Sequence, residues 1–277
     1  MGRKNPLTKP FLKWAGGKRQ LLPEITKHVP EFSTYYEPFV GAGAVFFYLQ
    51  PKRAIINDSN KQLIMTYRVI KDYLDELITT LELHKQNNSE KYYYEIRERD
   101  RKPDFMSLSN AQKAARLIYL NKTCYNGLYR VNSQGLFNVP YGRYKNPVIY
   151  EPAVLLAINK FLNSANVTIM DGDYVDALIN ADKKSFVYLD PPYHSPDNTN
   201  FTGYQAGGFD ENEQIRLRDT YKELTNRGVR CLLSNSDTSF IRELYRGFTI
   251  ETVEVSRAIN SNPDGRGKVN EVLIKNY

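Results

Sequence analysis

Cysteine and histidine are both scarce in this chain, with two of the first and three of the second among 277 residues. Cys124 and Cys231 lie far apart without a CxxC partner, and His28, His84 and His194 show no ligand spacing. Neither a disulfide framework nor a zinc site is expected, and no metal is called for. No apolar run approaches the roughly 20 residues that span a bilayer. The start, Met1 to Lys9, is basic but lacks the apolar core of a signal peptide, which points to a cytoplasmic protein without membrane attachment. Internal repeats and low-complexity tracts are missing too. One segment, Phe11-Leu-Lys-Trp-Ala-Gly-Gly-Lys18, superficially resembles a Walker A loop. It has Leu12 where that loop needs glycine, and Arg19 where it needs Ser or Thr, so phosphate transfer is not expected.

What the chain does have is length, ordinary hydrophobicity and an excess of basic and aromatic residues. A chain of this size buries about three quarters of its unfolded surface, so the core needs no covalent staples. The net charge of +7 favours a polyanionic partner. There are 21 tyrosines, several interleaved with Lys and Arg. Basic groups neutralise phosphates while aromatic rings stack on bases, although tyrosines also pack with wet hydroxyls.

Short β-like runs alternate with helical patterns. Tyr35–Phe39 runs into Val40-Gly41-Ala42-Gly43 and an apolar helix start. Arg53–Asp58 opens into a helical period, Val167–Met170 ends in Asp171-Gly172-Asp173-Tyr174, Phe186–Leu189 ends in Asp190-Pro191-Pro192-Tyr193, and Arg230–Leu233 ends in Ser234-Asn235-Ser236. This rhythm predicts an α/β, Rossmann-like fold with a mostly parallel, twisted sheet and helices on both faces. The rhythm breaks from 61 to 164, where helical periods run through Leu63–His84, Glu90–Arg99 and Ala111–Lys122, followed by a loop rich in Gly, Asn, Tyr and Arg. We therefore expect a discontinuous catalytic domain, 1–60 with 165–277, carrying a helical insertion at 61–164.

Asp190-Pro191-Pro192-Tyr193 carries the chemistry. Open α/β sheets bind ligands along the carboxyl edge of their strands, and this stretch falls at such an edge. Each proline lacks an N–H and holds its predecessor extended, so the loop offers acceptors: the Asp190 carboxylate and the carbonyls of Asp190 and Pro191. Tyr193 adds a flat ring. Two acceptors and a ring suit a planar exocyclic amine; the alternative is a strand-terminating turn with a packed tyrosine. Phe39-Val-Gly41-Ala-Gly43, after a strand and before a helix, is a nucleotide-loop pattern whose glycines permit close backbone approach. Asp58, at the end of the next strand, can accept both hydroxyls of a ribose. With GxGxxG incomplete, an adenosine with an uncharged or cationic far end fits better than a pyrophosphate. Trp14 and Lys18 then either close over such a ligand, Lys18 meeting a carboxylate, or form a capping turn before a helix at Gln20–His28.

In order and content, FLKWAGGK (11–18), EPFVGAG (37–43), Asn57-Asp58, YNGLYR (125–130), FNVPYGRY (137–144), DPPY (190–193) and LSNS (233–236) resemble the Dam-type, α-group DNA adenine-N6 methyltransferases. The resemblance covers nearly the whole chain. It implies S-adenosyl-L-methionine as methyl donor and adenine in double-stranded GATC as target. By position, Trp14, Lys18, Phe39, Gly41, Gly43, Asp58, Asp173, Tyr174 and Asp190 would be cofactor contacts. Asp173 would accept the amino group of the cofactor's adenine or else cap a helix, and Tyr174 stands where the family usually has Phe. Asp190, Pro191, Pro192 and Tyr193 would hold the flipped target adenine. Lys13 and Arg130 would meet base edges, Tyr125 and Asn126 would fill the space left by the adenine, Leu128 and Pro140 would line the DNA, and Arg143 would bind phosphate. A restriction endonuclease sharing the site, without a stable complex, is a further implied partner. Adenine-N6 methylation of structured RNA, or DNA binding without catalysis, are the alternatives.

Overall fold

The structure is a computed structural model and describes residues 4–14, 16–195, 209–256 and 268–277; Ala15 of the FLKWAGGK stretch lies outside these. Among the described residues seven strands form one sheet in the order β3-β2-β1-β4-β5-β7-β6. β1 (Thr34–Glu37), β2 (Arg53–Asp58), β3 (Asn166–Asp171), β4 (Ser185–Leu189) and β5 (Arg230–Ser236) run parallel to one another. β6 (Thr249–Ser256) and β7 (Lys268–Lys275) form an antiparallel ribbon, and β7 pairs antiparallel with β5.

The central strands are apolar on both faces because both faces are covered. Tyr35, Phe186 and Tyr188 point into one hydrophobic core, while Tyr36, Val187 and Leu189 point into the other. The second face is covered by α8 (Tyr174–Leu178), α9 (Glu211–Asn226) and α10 (Ser239–Leu244). The first face is covered by α1 (Leu22–Lys27), α2 (Ala44–Leu49), α3 (Lys61–Asp72) and α7 (Pro152–Ser164), with α4 (Leu74–Gln86), α5 (Glu90–Arg97) and α6 (Asn110–Thr123) stacked beyond them. α3 packs on β2 and β3 and also on α6, so the helical segment shares one continuous core with the sheet.

The helical period of Leu63–His84 is divided at Tyr73, where φ of −135° interrupts the backbone spiral, and the helix expected from Gln20 starts at Leu22. Sharp N-caps explain other boundaries. Asn60 accepts the Leu63 amide, and Ser109 with Gln112 forms a reciprocal capping box on α6. The β6–β7 ribbon has no counterpart in the expectations. Its alternation is interrupted by charged residues (Glu251, Glu254, Glu271), and eleven residues of sequence separate its two strands.

Chain order reverses at the β1–β4 boundary: β2 and β3 extend to one side of β1, β4 and β5 to the other. The two loops that leave the carboxyl ends of β1 and β4 are therefore neighbours. Ligands of open sheets bind at such a reversal.

Candidate active site

The loop after β1 is shaped by two glycines in left-handed backbone, Gly41 at φ 49° and Gly43 at φ 72°. A Cβ on Gly43 would stand 2.6 Å from the Tyr67 hydroxyl, and one on Gly41 would stand 3.0 Å from Trp14 Cδ1. The positive φ disfavours a side chain at both places, and at Gly43 the contact adds a clash. The Gly41 amide donates to Asp58 Oδ2 at 3.0 Å, the Asn60 amide donates to Asp58 Oδ1 at 2.9 Å, and the Tyr67 hydroxyl donates to the Gly41 carbonyl at 3.0 Å. Burial raises the Asp58 carboxyl to about 6, against the opposing pull of those two amides. Asn57 donates to the Pro38 and Gly172 carbonyls, tying this loop to the one after β3.

The loop after β4 is held from three sides. Asp190 Oδ1 lies 2.8 Å from Lys18 Nζ and accepts the Ser234 hydroxyl at 2.9 Å. The Ser234 hydroxyl also meets Tyr188 OH at 2.9 Å. Burial pushes the Asp190 carboxyl up from its ordinary value, and the Lys18 ammonium pulls it back. Gln214 of α9 donates to the Pro192 carbonyl at 2.8 Å and accepts from Asn235 at 3.0 Å. The Tyr193 hydroxyl donates to Glu271 of β7 at 2.7 Å, and Lys18 Nζ sits 4.6 Å from the Tyr193 ring centroid. The Lys18 ammonium thus pairs with Asp190 and lies over the face of Tyr193 at once.

The structure brings together Trp14, Lys18, Gly41, Gly43 and Asp58 with the Asp190–Tyr193 loop. Lys18, expected to meet a ligand carboxylate, is paired with Asp190, a mostly buried carboxylate beside a buried ammonium. Farther along the sheet edge, Phe39 packs on Tyr174 with ring centroids 5.1 Å apart, and Arg216 covers Tyr174 at 4.9 Å. Asp173 accepts the Val175 amide as the N-cap of α8 and pairs with Arg216 at 2.7 Å. Its capping role is thus present, with both carboxylate oxygens engaged.

The second group of expected residues gathers on the loop after α6. Asn121, fully buried, receives the Lys13 amide and donates to the carbonyls of Lys13 and Gly127. Gly127 at φ 66° leaves room for the Lys13 side chain, which a Cβ would meet at 2.3 Å. Lys13 therefore lies across the turn formed by Tyr125 and Asn126, the latter at φ 55°. The Tyr125 amide donates to the Pro140 carbonyl at 2.9 Å, and Tyr125, Leu128 and Pro140 are all exposed. Arg130 is exposed on a hairpin, its guanidinium 2.8 Å from Asn138 Oδ1. Arg143 is exposed in left-handed backbone, φ 52°, with Glu90 at 3.9 Å.

Several participants were not singled out in the sequence. Ser234 and Asn235 sat in the recognised LSNS segment, where a polar run ending an apolar strand was the available signal. Gln214 and Glu271 had none, since nothing local marks a helix glutamine or a strand glutamate as facing a loop. Among the described residues no group of three or more His, Cys, Asp or Glu is arranged to hold a metal, and no helix is long and apolar enough to cross a membrane.

A family model described as D12 class N6 adenine-specific DNA methyltransferase matches residues 14–259. The Type II methyltransferase M1.LlaDCHI of Lactococcus lactis subsp. cremoris is 44% identical over 271 residues, covering 97% of this chain and 95% of that protein. The Type II methyltransferase M.MjaIII of Methanocaldococcus jannaschii is 42% identical over 289 residues, covering 97% and 99%. The DNA adenine methylase of Escherichia coli (strain K12) is 39% identical over 266 residues, covering 95% and 93%.

Proposed function

Because the chain belongs to the D12 class of N6 adenine-specific DNA methyltransferases, we propose that it takes its methyl group from S-adenosylmethionine and modifies the adenine of GATC in double-stranded DNA. The observation that carries this reading is the juxtaposition of the Asp190–Tyr193 loop with the Gly41–Gly43 loop at the reversal of the sheet. The residues present fit the donor. Trp14 flanks the loop at Gly41, and the Asp58 carboxylate spends two acceptor positions on backbone amides and keeps others for ribose hydroxyls. Lys18 is the cation available to the donor's carboxylate. When bound, S-adenosylmethionine supplies an electrophilic methyl group on a sulfonium.

An adenine amine inside a duplex cannot reach a sheet crevice, so the base is extruded at a cost of a few kcal/mol. Stacking on Tyr193 recovers about 1–3 kcal/mol of it. The Tyr193 ring is already oriented for this by Glu271. The incoming N6 replaces the Lys18 ammonium at Asp190 and donates its second hydrogen to the Pro191 carbonyl. The N6 lone pair is delocalised into the ring and is a poor nucleophile. Two acceptors favour a pyramidal nitrogen and stabilise the positive charge that develops on it. The bracing by Ser234, Gln214 and Asn235 fixes these acceptors before substrate arrives.

On the DNA side, Arg130 and Lys13 are assigned to base edges, Arg130 matching guanine O6 and N7. Tyr125 and Asn126 are assigned to the gap left by the adenine, Leu128 and Pro140 to the groove wall, and Arg143 to phosphate. Relatives named Type II methyltransferases support a restriction endonuclease with the same site as a functional partner. A DNA substrate supports a location in the cytoplasm of a bacterial or phage-infected cell.

The test is direct. Purified protein with radiolabelled S-adenosylmethionine should label GATC duplexes and leave duplexes with N6-methylated GATC unlabelled. Labelling that tolerates changes within GATC would overturn the target, and labelling confined to structured RNA would overturn the substrate class.

A further inference from the structure

Tyr129 lies between the two halves of the site and was assigned to neither. Its ring is stacked on Trp14 with centroids 5.0 Å apart and an interplanar angle of 29°. Trp14 in turn lies against Gly41. The Tyr129 hydroxyl meets the side chain of Asn60, the residue that caps α3 and donates its amide to Asp58. One buried side chain thus touches both walls of the proposed donor cradle. The ring also packs edge-to-face with Phe137, centroids 5.9 Å apart.

Phe137 is fixed. Its amide donates to Asp100 Oδ2 at 3.1 Å, its carbonyl accepts from Arg101 at 3.1 Å, and Asp100 is paired with the buried Arg116 at 2.8 Å. The segment around Tyr129 is extended, so successive side chains point to opposite sides. Tyr129 is buried while Leu128 and Arg130 are exposed. The outward side of Arg130 thus follows from the inward seat of Tyr129, and bonds to Asn138 hold its guanidinium there. Asn121 adds a backbone tie, binding both Lys13 and Gly127.

We propose that Tyr129 is a positioning residue that couples occupancy of the donor cradle to the aim of the Leu128–Arg130 segment on DNA. The proposal rests on the functional reading above and adds a linkage to it. A ligand that orders Trp14, Gly41 and Asp58 also orders Tyr129, and hence the side chains flanking it. Linkage is reciprocal, so a cognate duplex must tighten the donor by the same factor that the donor tightens the duplex.

The experiment is a binding cycle with S-adenosylhomocysteine and a short GATC duplex, each titrated calorimetrically in the absence and presence of the other. Wild type is expected to show a coupling factor of at least about fivefold, the low end of typical values. Tyr129→Leu is expected to bring that factor close to one while each separate affinity changes far less. Tyr129→Phe, which keeps the ring on Trp14, should retain most of the coupling. Should the leucine variant not fold, Tyr129→Met fills the same space with a flexible, ringless side chain and is expected to behave alike. Undiminished coupling in the ringless variant overturns the proposal, as does a loss of both separate affinities with the coupling factor preserved. Wild-type binding of both ligands without coupling overturns it and leaves the functional reading standing. Failure of wild type to bind either ligand overturns both.

Discussion

The loop after β4 and the loop after α6 carry the two halves of the proposed reaction, and they are built in opposite ways. In the first, the chemistry-bearing groups are tied inward. Asp190 is held by Lys18 and Ser234, Tyr193 by Glu271, and the Pro192 carbonyl by Gln214. In the second, the backbone is tied and the side chains stay exposed, Arg130 held only by its neighbour Asn138 across the hairpin. Tyr125 is bonded through its amide, and Arg130 and Asn138 through their main chains, while the Tyr125 ring and both arginines project to solvent. Catalysis gains from acceptors fixed before the substrate arrives, since reorganisation then costs nothing during the reaction. Reading a duplex needs side chains that extend from the surface into a groove. On the proposed reading, rigidity lies where charge would develop, and reach lies where sequence would be read.

Breaking the rigid half should have the largest effect. Asp190→Ala removes an acceptor for the target amine and leaves the Lys18 ammonium without its counter-charge. Losing one contact of this kind costs about 100- to 1000-fold in rate. Single-turnover methylation by a variant with unchanged circular dichroism measures it, and near-wild-type rates would sink the role of Asp190.

The reaching half should respond more modestly and in two distinct ways. Arg130→Ala should cost about 1–3 kcal/mol on GATC and relax discrimination at one base position. Arg143→Ala should weaken all duplexes alike and reduce the salt slope by about one unit. Titrations against single-base variants at several salt concentrations separate the outcomes. If Arg143 carried the discrimination instead, the assignment of the loop to the groove would be reversed.

The smallest effect sharpens the comparison at the boundary between the halves. Asp58 is raised to about 6 by burial, and the proposed ribose contact needs its ionised form. Donor affinity should therefore fall as pH drops through 6, to about tenfold weaker at pH 5 than at pH 7.5. The stability linkage has the other sign. A carboxyl whose folded value is raised contributes stability below its unfolded value near 3.8, and that contribution is lost as pH rises through about 6. Calorimetric titration of S-adenosylhomocysteine across this range should show the drop, and Asp58→Asn should flatten it. A pH-independent affinity in the unsubstituted protein would remove Asp58 from the ribose site.

Much of this was legible in the chain. Continuous apolar runs at Phe186–Leu189 and Cys231–Leu233 marked buried parallel strands, because residues flanked by covered faces must be apolar on both sides. The two glycines after β1 and the prolines after β4 declared their loops through backbone restriction alone. These are local properties, and a sequence states them directly. The pairing of Lys18 with Asp190, the seat of Tyr193 on Glu271, the stacking of Tyr129 on Trp14 and the β6–β7 ribbon were not legible. Each joins residues whose separation along the chain is closed only by sheet order and helix packing. Which carboxylate a buried lysine finds, and which ring a tyrosine meets, depends on the burial that the assembled fold creates, and no stretch of sequence contains that environment by itself.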